Sequence, residues 1–264
     1  MGADMGADVI LTEWTADVAT LRLDNPAAMN AISSEMGREL HAKLVEVSAT
    51  ARAVILAGHE RAFCAGANLA GRTEAPGTDV DMGAALRDIF NPLMQAVKDC
   101  RVPIISAVRG AAAGIGASLA LSCDMIVAGE SAYFLQAFRR IGLVPDGGSA
   151  FLLAHGVGRV RAMELMLLGE KLLAPTALTW GLINRVVPDT EVESCAAKLG
   201  ADLARGPTRA LGLIRRAAWA ALNCPWEAQL ALECDLQREA GKSPDYAEGL
   251  AAFLEKRVAA FVGT

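Results

Sequence analysis

Residues 103–128 read PIISAVRGAAAGIGASLALSCDMIVA, and two apolar runs within them, Pro103 to Val108 and Asp124 to Ala128, bracket a glycine-rich turn and an Ala/Leu-rich segment ending near Ser122. A short, uninterrupted run of aliphatic residues is the pattern of a strand buried on both faces of a parallel sheet. The stretch therefore predicts strand, turn, helix, strand. The same unit stands upstream: Ala53 to Ala57 is a continuous apolar run ending at Gly58, a polar loop follows, residues 71–78 are rich in Gly, Thr and Pro, and helical spacing resumes from Met82 to Lys98. Repetition of the unit predicts an α/β core.

Further out, Val9 to Trp14 and Asp17 to Leu23 pattern as a hairpin around the polar turn Thr15-Ala16-Asp17. Asp24-Asn25-Pro26 stops the second strand, and Ser33-Ser34-Glu35-Met36 offers an N-cap for a helix to about Val47 with Met36, Leu40, Leu44 and Val47 at helical spacing. From Pro175 onward, apart from Ile183 to Val187, the chain patterns as helices broken at Gly206-Pro207, Pro225 and Ser243-Pro244. The expected organisation is a core domain over 1–200 and a helical region over 201–264.

With 264 residues, 53% of them hydrophobic, the chain can bury a large core. A formal charge of −5 argues against nucleic acid or anionic lipid as a partner. Six scattered cysteines without a Cys-x-x-Cys pair imply reduced thiols and a cytoplasmic setting; the three histidines have no metal-ligand spacing, so no metal is expected. The first eight residues lack a signal-peptide pattern, and no apolar stretch long enough to span a membrane is free of Gly and charge. Cys64 reads as a small buried hydrophobe rather than a nucleophile, and Arg22 and Arg61 as solvated surface charges.

Three places carry candidate chemistry. In Arg61-Ala62-Phe63-Cys64-Ala65-Gly66-Ala67-Asn68-Leu69 small residues let backbone approach a ligand, and in Gly114-Ile115-Gly116 unpaired N–H groups at a helix start can hold a negative oxygen. Two converging N–H donors make an oxyanion hole, although glycine turns before helices also serve close packing. The third place is Pro145-Asp146-Gly147-Gly148, where Asp146 either caps the next helix or acts as acid and base. A dinucleotide fingerprint fails because position 119 is leucine, and a P-loop fails for want of Gly-Lys-Ser/Thr.

Together the Arg61 to Leu69 run, Val108 through Asp124, Ile141 to Gly148, Gly181 to Val187 and the closing Phe253-Leu254-Glu255-Lys256-Arg257 resemble the crotonase (enoyl-CoA hydratase/isomerase) superfamily across essentially the whole chain. The resemblance implies a spiral of ββα units, a C-terminal helical trimerisation region, a homotrimer or dimer of trimers, and a coenzyme A thioester as substrate with no further cofactor. It implies that the N–H groups of Ala67 and Ile115 meet the thioester oxygen beside Gly66 and Gly114. Ala28, Met29, Ala31 and Ala65 would line the CoA path, with Phe253 and Lys256 supplied by a neighbouring subunit.

The superfamily's hydratases use two glutamates, and the matching positions here hold Ser118 and Phe138. Neither can activate water or protonate carbon, which leaves Asp146, at a position where isomerases of the superfamily carry an aspartate. Val108 to Gly114, Ile141 to Asp146 and Gln237 to Gly241 are most similar to the branch that isomerises ring-epoxide phenylacetyl thioesters, with Asn68 and Ser149 as departures. The expectation is an acyl-CoA isomerase working through a thioester enolate. A hydratase, lyase or hydrolase of the same superfamily and a non-catalytic CoA-binding scaffold are the alternatives.

Overall fold

The computed structural model describes residues 9–70 and 81–264, so the Gly-, Thr- and Pro-rich residues 71–78 lie outside the described residues. Strands β1 (Val9–Thr15) and β2 (Val18–Asp24) form the expected antiparallel hairpin. The chain continues through α1 (Ser34–Ser48), whose Ser33 cap accepts the Met36 N–H at 3.1 Å. Three strand pairs then follow: β3 (Ala53–Ala57) and β4 (Ala62–Cys64), β5 (Ile104–Val108) and β6 (Ala111–Ala113), β7 (Met125–Gly129) and β8 (Tyr133–Leu135).

Each pair sends its first strand to one sheet, ordered β1-β2-β3-β5-β7-β10 with β10 at Arg185–Val187, and its second to another, ordered β4-β6-β8-β9 with β9 at Lys171–Leu173. A helix follows each pair. After β4 come α2 (Gly83–Ala85), a π-helical turn (Leu86–Phe90) and α3 (Asn91–Asp99); after β6 comes α4 (Ile115–Leu121); after β8, beyond a 3₁₀ turn at Ala137–Ile141, comes α5 (Ser149–Leu168). This is the ββα spiral. The π turn breaks the helix expected over 82–98, and Ala111–Ala113, which patterns as part of a turn, is a strand paired with both β4 and β8.

The alternation of side chains along a strand explains why the central runs are apolar throughout. Val54 and Leu56 of β3, Ile104 and Val108 of β5, and Ile126 and Ala128 of β7 join the main core. Their neighbours Ala53, Ile55, Ala57, Ile105, Ala107 and Val127 face the other way, against α7 (Val192–Ala204) through Val192, Ala196 and Leu199. Arg22 corrects the solvated reading: its side chain is 14% exposed and donates to Gly58 O at 2.8 Å and to Glu193, joining β2 to α7.

The remainder comprises β9 (Lys171–Leu173), α6 (Ala174–Thr179), β10 (Arg185–Val187), α8 (Thr208–Ala221), α9 (Trp226–Ala240) and α10 (Pro244–Glu255). Helix α8 is fixed to the core by buried Arg215, which donates to the Asp124 carboxylate and to the carbonyls of Cys100 and Val97. Truncating it strands Asp124 and two carbonyls. Arg215→Ala is therefore expected to destabilise the fold by about 3–5 kcal/mol, seen as a lower urea midpoint by circular dichroism.

Candidate active site

The two glycine turns meet. Gly66 has φ +113°, and a Cβ added there would lie 3.2 Å from the Ala113 carbonyl oxygen; one added to Gly114, at φ +52°, would lie 3.8 Å from the Gly66 Cα. Gly116 is required by approach rather than by φ, since its Cβ would sit 2.6 Å from the Cys64 Sγ. The first turn of α4 thus rests directly on the end of β4.

Two backbone donors flank this contact. Ile32 N–H donates to Gly66 O and Asn68 N–H to Ile32 O, both at 2.8 Å, as a parallel bridge on one edge of the 66–68 segment. The Ala67 N–H, one residue out of phase, leaves by the opposite edge. Ile115 opens α4, so its N–H has no intrahelical acceptor, and Gly114 offers no side chain to cap it. Neither donor has a partner among the described residues.

The acid lies against the same turn. A Cβ on Gly147 would collide with Ile115 Cδ1 at 2.3 Å and with Ser118 Cβ at 2.9 Å, so the Asp146-Gly147 peptide is pressed onto the first turn of α4. The cap alternative for Asp146 fails: Gly148 is the N-cap of α5, and Ser149 N–H donates to the Asp146 carbonyl, not to its carboxylate. Asp146 Oδ1 is buried without a hydrogen-bond partner, and burial pushes this carboxyl up to about 6. A carboxylate so exposed to desolvation and so free of donors marks a candidate catalytic group.

The positions that would hold glutamates are filled. Ser118 is wholly buried, its Oγ 3.0 Å from the Asp146 carbonyl and 2.6 Å from Ser149 Oγ. Phe138 is buried too, with its ring 3.7 Å from where a Gly114 Cβ would stand. The segment expected to line the CoA path runs beside the first turn: Ala28 ends a 3₁₀ turn, Met29 O accepts the Ala65 N–H at 3.0 Å, and Ala31 leads into the Ile32 bridge to Ala67. Met29 also lines a cavity of about 290 Å³ with Pro26, Asn30, His59, Glu60, Arg61 and Ala62.

Phe253, 80% exposed, and Lys256, the left-handed cap of α10, are joined to this cluster by no hydrogen bond among the described residues. Cys64 is fully buried and its thiol is pushed up to about 12 by desolvation, which bears out its reading as a hydrophobe. Among the described residues no group of three or more His, Cys, Asp or Glu could hold a metal ion, and no helix is long and apolar enough to cross a membrane.

A family model described as enoyl-CoA hydratase/isomerase matches residues 13–264. The chain belongs to the enoyl-CoA hydratase/isomerase family. Relatives within it include a Rhodobacter capsulatus protein named "Probable enoyl-CoA hydratase", 44% identical over 98% of this chain and 100% of its own length. The 1,2-epoxyphenylacetyl-CoA isomerase of Escherichia coli is 42% identical over 97% of this chain and 99% of its own. A crystal structure of an enoyl-CoA hydratase from a Polaromonas species superposes with TM-score 0.87 at 31% identity, covering 96% of this chain and 99% of that one. The crotonase fold implied by the motifs is thereby shown for an enoyl-CoA hydratase/isomerase.

Ser149 is the site residue that sequence reasoning missed. It stands out in the sequence only as a departure from the family's ending of its motif, and its pairing with Ser118 spans 31 positions.

Proposed function

We propose that the chain isomerises acyl-CoA thioesters by proton transfer, with Asp146 as base and then acid and with the N–H groups of Ala67 and Ile115 holding the enolate oxygen. The observation that carries this reading is the half-buried Asp146 carboxyl, whose Oδ1 has no hydrogen-bond partner, next to Gly147 packed on the turn that presents Ile115, while Ser118 and Phe138 occupy the glutamate positions. For a 3-enoyl thioester, Asp146 takes the C2 proton, the electron pair passes into the thioester carbonyl, and two N–H donors receive the negative oxygen. The enolate collapses, the double bond moves to C2–C3, and the protonated Asp146 returns the proton to C4. One carboxyl group closes the cycle without water. CoA is bound along Ala28, Met29, Ala31, Ala65 and Gly66, and Gly114 leaves room for the thioester.

Assembly as a homotrimer or dimer of trimers completes the proposal, with Phe253 and Lys256 reaching a neighbour's site. Exposed apolar residues on the last helices and the tail support it: Trp226 at 70%, Leu254 at 71% and Val258 at 91%. The name of the Rhodobacter relative favours a second reading as a hydratase. Offering 2-enoyl-, 3-enoyl- and ring-epoxide acyl-CoA separates the two. Double-bond or ring isomerisation without 3-hydroxyacyl-CoA supports the first, and hydration at a comparable rate supports the second.

Because the base must be ionised and burial raises its pKa to about 6, kcat/KM for isomerisation is expected to fall as pH drops through about 6. A pH–rate profile with 3-enoyl-CoA checks this. A flat profile down to pH 4.5 would assign proton transfer elsewhere.

A further inference from the structure

We propose that Ser118 and Ser149 are positioning residues, a buried hydroxyl pair that holds the Asp146 main chain at a set distance from the Ile115 N–H. The inference rests on Asp146 being the base. Both serines have no exposed surface, and each hydroxyl is accounted for. Among the described residues Ser118 Oγ, at 2.6 Å, is the one acceptor within reach of Ser149 Oγ–H, so both hydroxyls are satisfied when Ser149 donates to Ser118 and Ser118 Oγ–H donates to the Asp146 carbonyl at 3.0 Å, with the Gly114 carbonyl a longer option at 3.3 Å. The Asp146 carbonyl also receives the Ser149 N–H at 3.0 Å. Two donors thus anchor the main chain of the residue whose carboxylate has none.

The geometry gives this anchoring a catalytic consequence. Ser118 lies three residues after Ile115 on α4, on the same face and one turn along. The chain Ser149, Ser118, Asp146 therefore ties the acid to the very helix that supplies one oxyanion donor. Gly147 adds the steric half of the clamp, since no Cβ fits between it and Ile115 or Ser118. Where a hydratase would place a carboxylate, this chain has a hydroxyl that points at the base's own backbone.

The test compares Ser118→Ala and Ser149→Ala with wild type on 3-enoyl-CoA, with Asp146→Asn as reference. A misplacement on the order of 1 Å costs roughly 10²-fold, so each Ala variant is expected to lose about 10- to 100-fold in kcat with KM nearly unchanged. The loosened carboxyl reaches water, and the acid limb of the pH profile moves to lower pH. Ser149→Thr, which restores the hydroxyl, should recover most of the rate lost in Ser149→Ala. Ala variants with wild-type kcat and an unmoved acid limb overturn the clamp, as does a lowered melting temperature with both kinetic readouts unchanged. If Ser118→Ala does not fold, Ser149→Ala and its Thr rescue decide the matter. A fully active Asp146→Asn removes the base itself, whereas an inactive Asn variant beside fully active Ala variants removes only the clamp.

Discussion

Asp146→Asn is expected to lower kcat for double-bond isomerisation by about 10³- to 10⁴-fold, the upper range for loss of a general acid–base group, while acyl-CoA still binds. Asparagine keeps the shape of the side chain and cannot accept the C2 proton. Unfolding would not explain the loss. The native carboxyl titrates near 6, above its unfolded value of 3.8, so the native state binds more protons and the ionised side chain costs stability that is absent below about pH 4 and complete above about pH 6. The Asn variant should therefore melt at or above the wild-type temperature at neutral pH and lose that advantage as pH falls towards 4. A variant that binds, melts high and does not turn over places the defect in proton transfer.

Ile115→Pro is expected to reduce kcat/KM by about 10²- to 10³-fold, the usual cost of deleting one oxyanion donor. A backbone N–H is rarely removable without wrecking its element, but here the fold permits it. Ile115 is the first residue of α4, where proline's fixed φ suits the helix and its missing N–H breaks no intrahelical bond. Gly114 has ψ −129°, away from the helical region that a following proline disfavours. The Ile115 side chain packs near Gly147, so Ile115→Ala, which removes that packing and keeps the donor, is the proper comparison. Proline must be slower than alanine by the share of the lost hydrogen bond. Equal rates for the two would mean that this N–H does not face the developing charge.

The central strands were legible because burial on both faces leaves an uninterrupted apolar run, and Val54, Ile105 and Val127 show no competing signal. The second sheet was less so. Its strands are three residues long, and Ala111–Ala113 lies beside glycines in a stretch that patterns as a turn until its partners β4 and β8 are known. Local propensity cannot specify such a strand; pairing does. The π turn at Leu86–Phe90 escaped because Leu86, Ile89, Phe90 and Leu93 keep α-helical spacing, so the apolar pattern does not mark the widened turn.

In the candidate site the glycines were readable as places of close approach, and Gly66, Gly114 and Gly116 do meet backbone or Cys64. Asp146 was readable as an acid in a turn, but cap and catalyst differ only in where the carboxylate points, which three-dimensional structure alone reveals. Arg22 was misread because its partners Gly58 and Glu193 are 36 and 171 positions away. The Ser118–Ser149 bond is equally non-local.

The most direct measurement incubates 3-enoyl-CoA with the wild-type protein at pH 7.5 and follows 2-enoyl-CoA and 3-hydroxyacyl-CoA separately by liquid chromatography. Transfer of the proton by one carboxylate, with serine and phenylalanine where hydratases hold glutamates, predicts rapid accumulation of 2-enoyl-CoA with 3-hydroxyacyl-CoA slower by at least about 10²-fold. Formation of 3-hydroxyacyl-CoA at a rate comparable to isomerisation would contradict it.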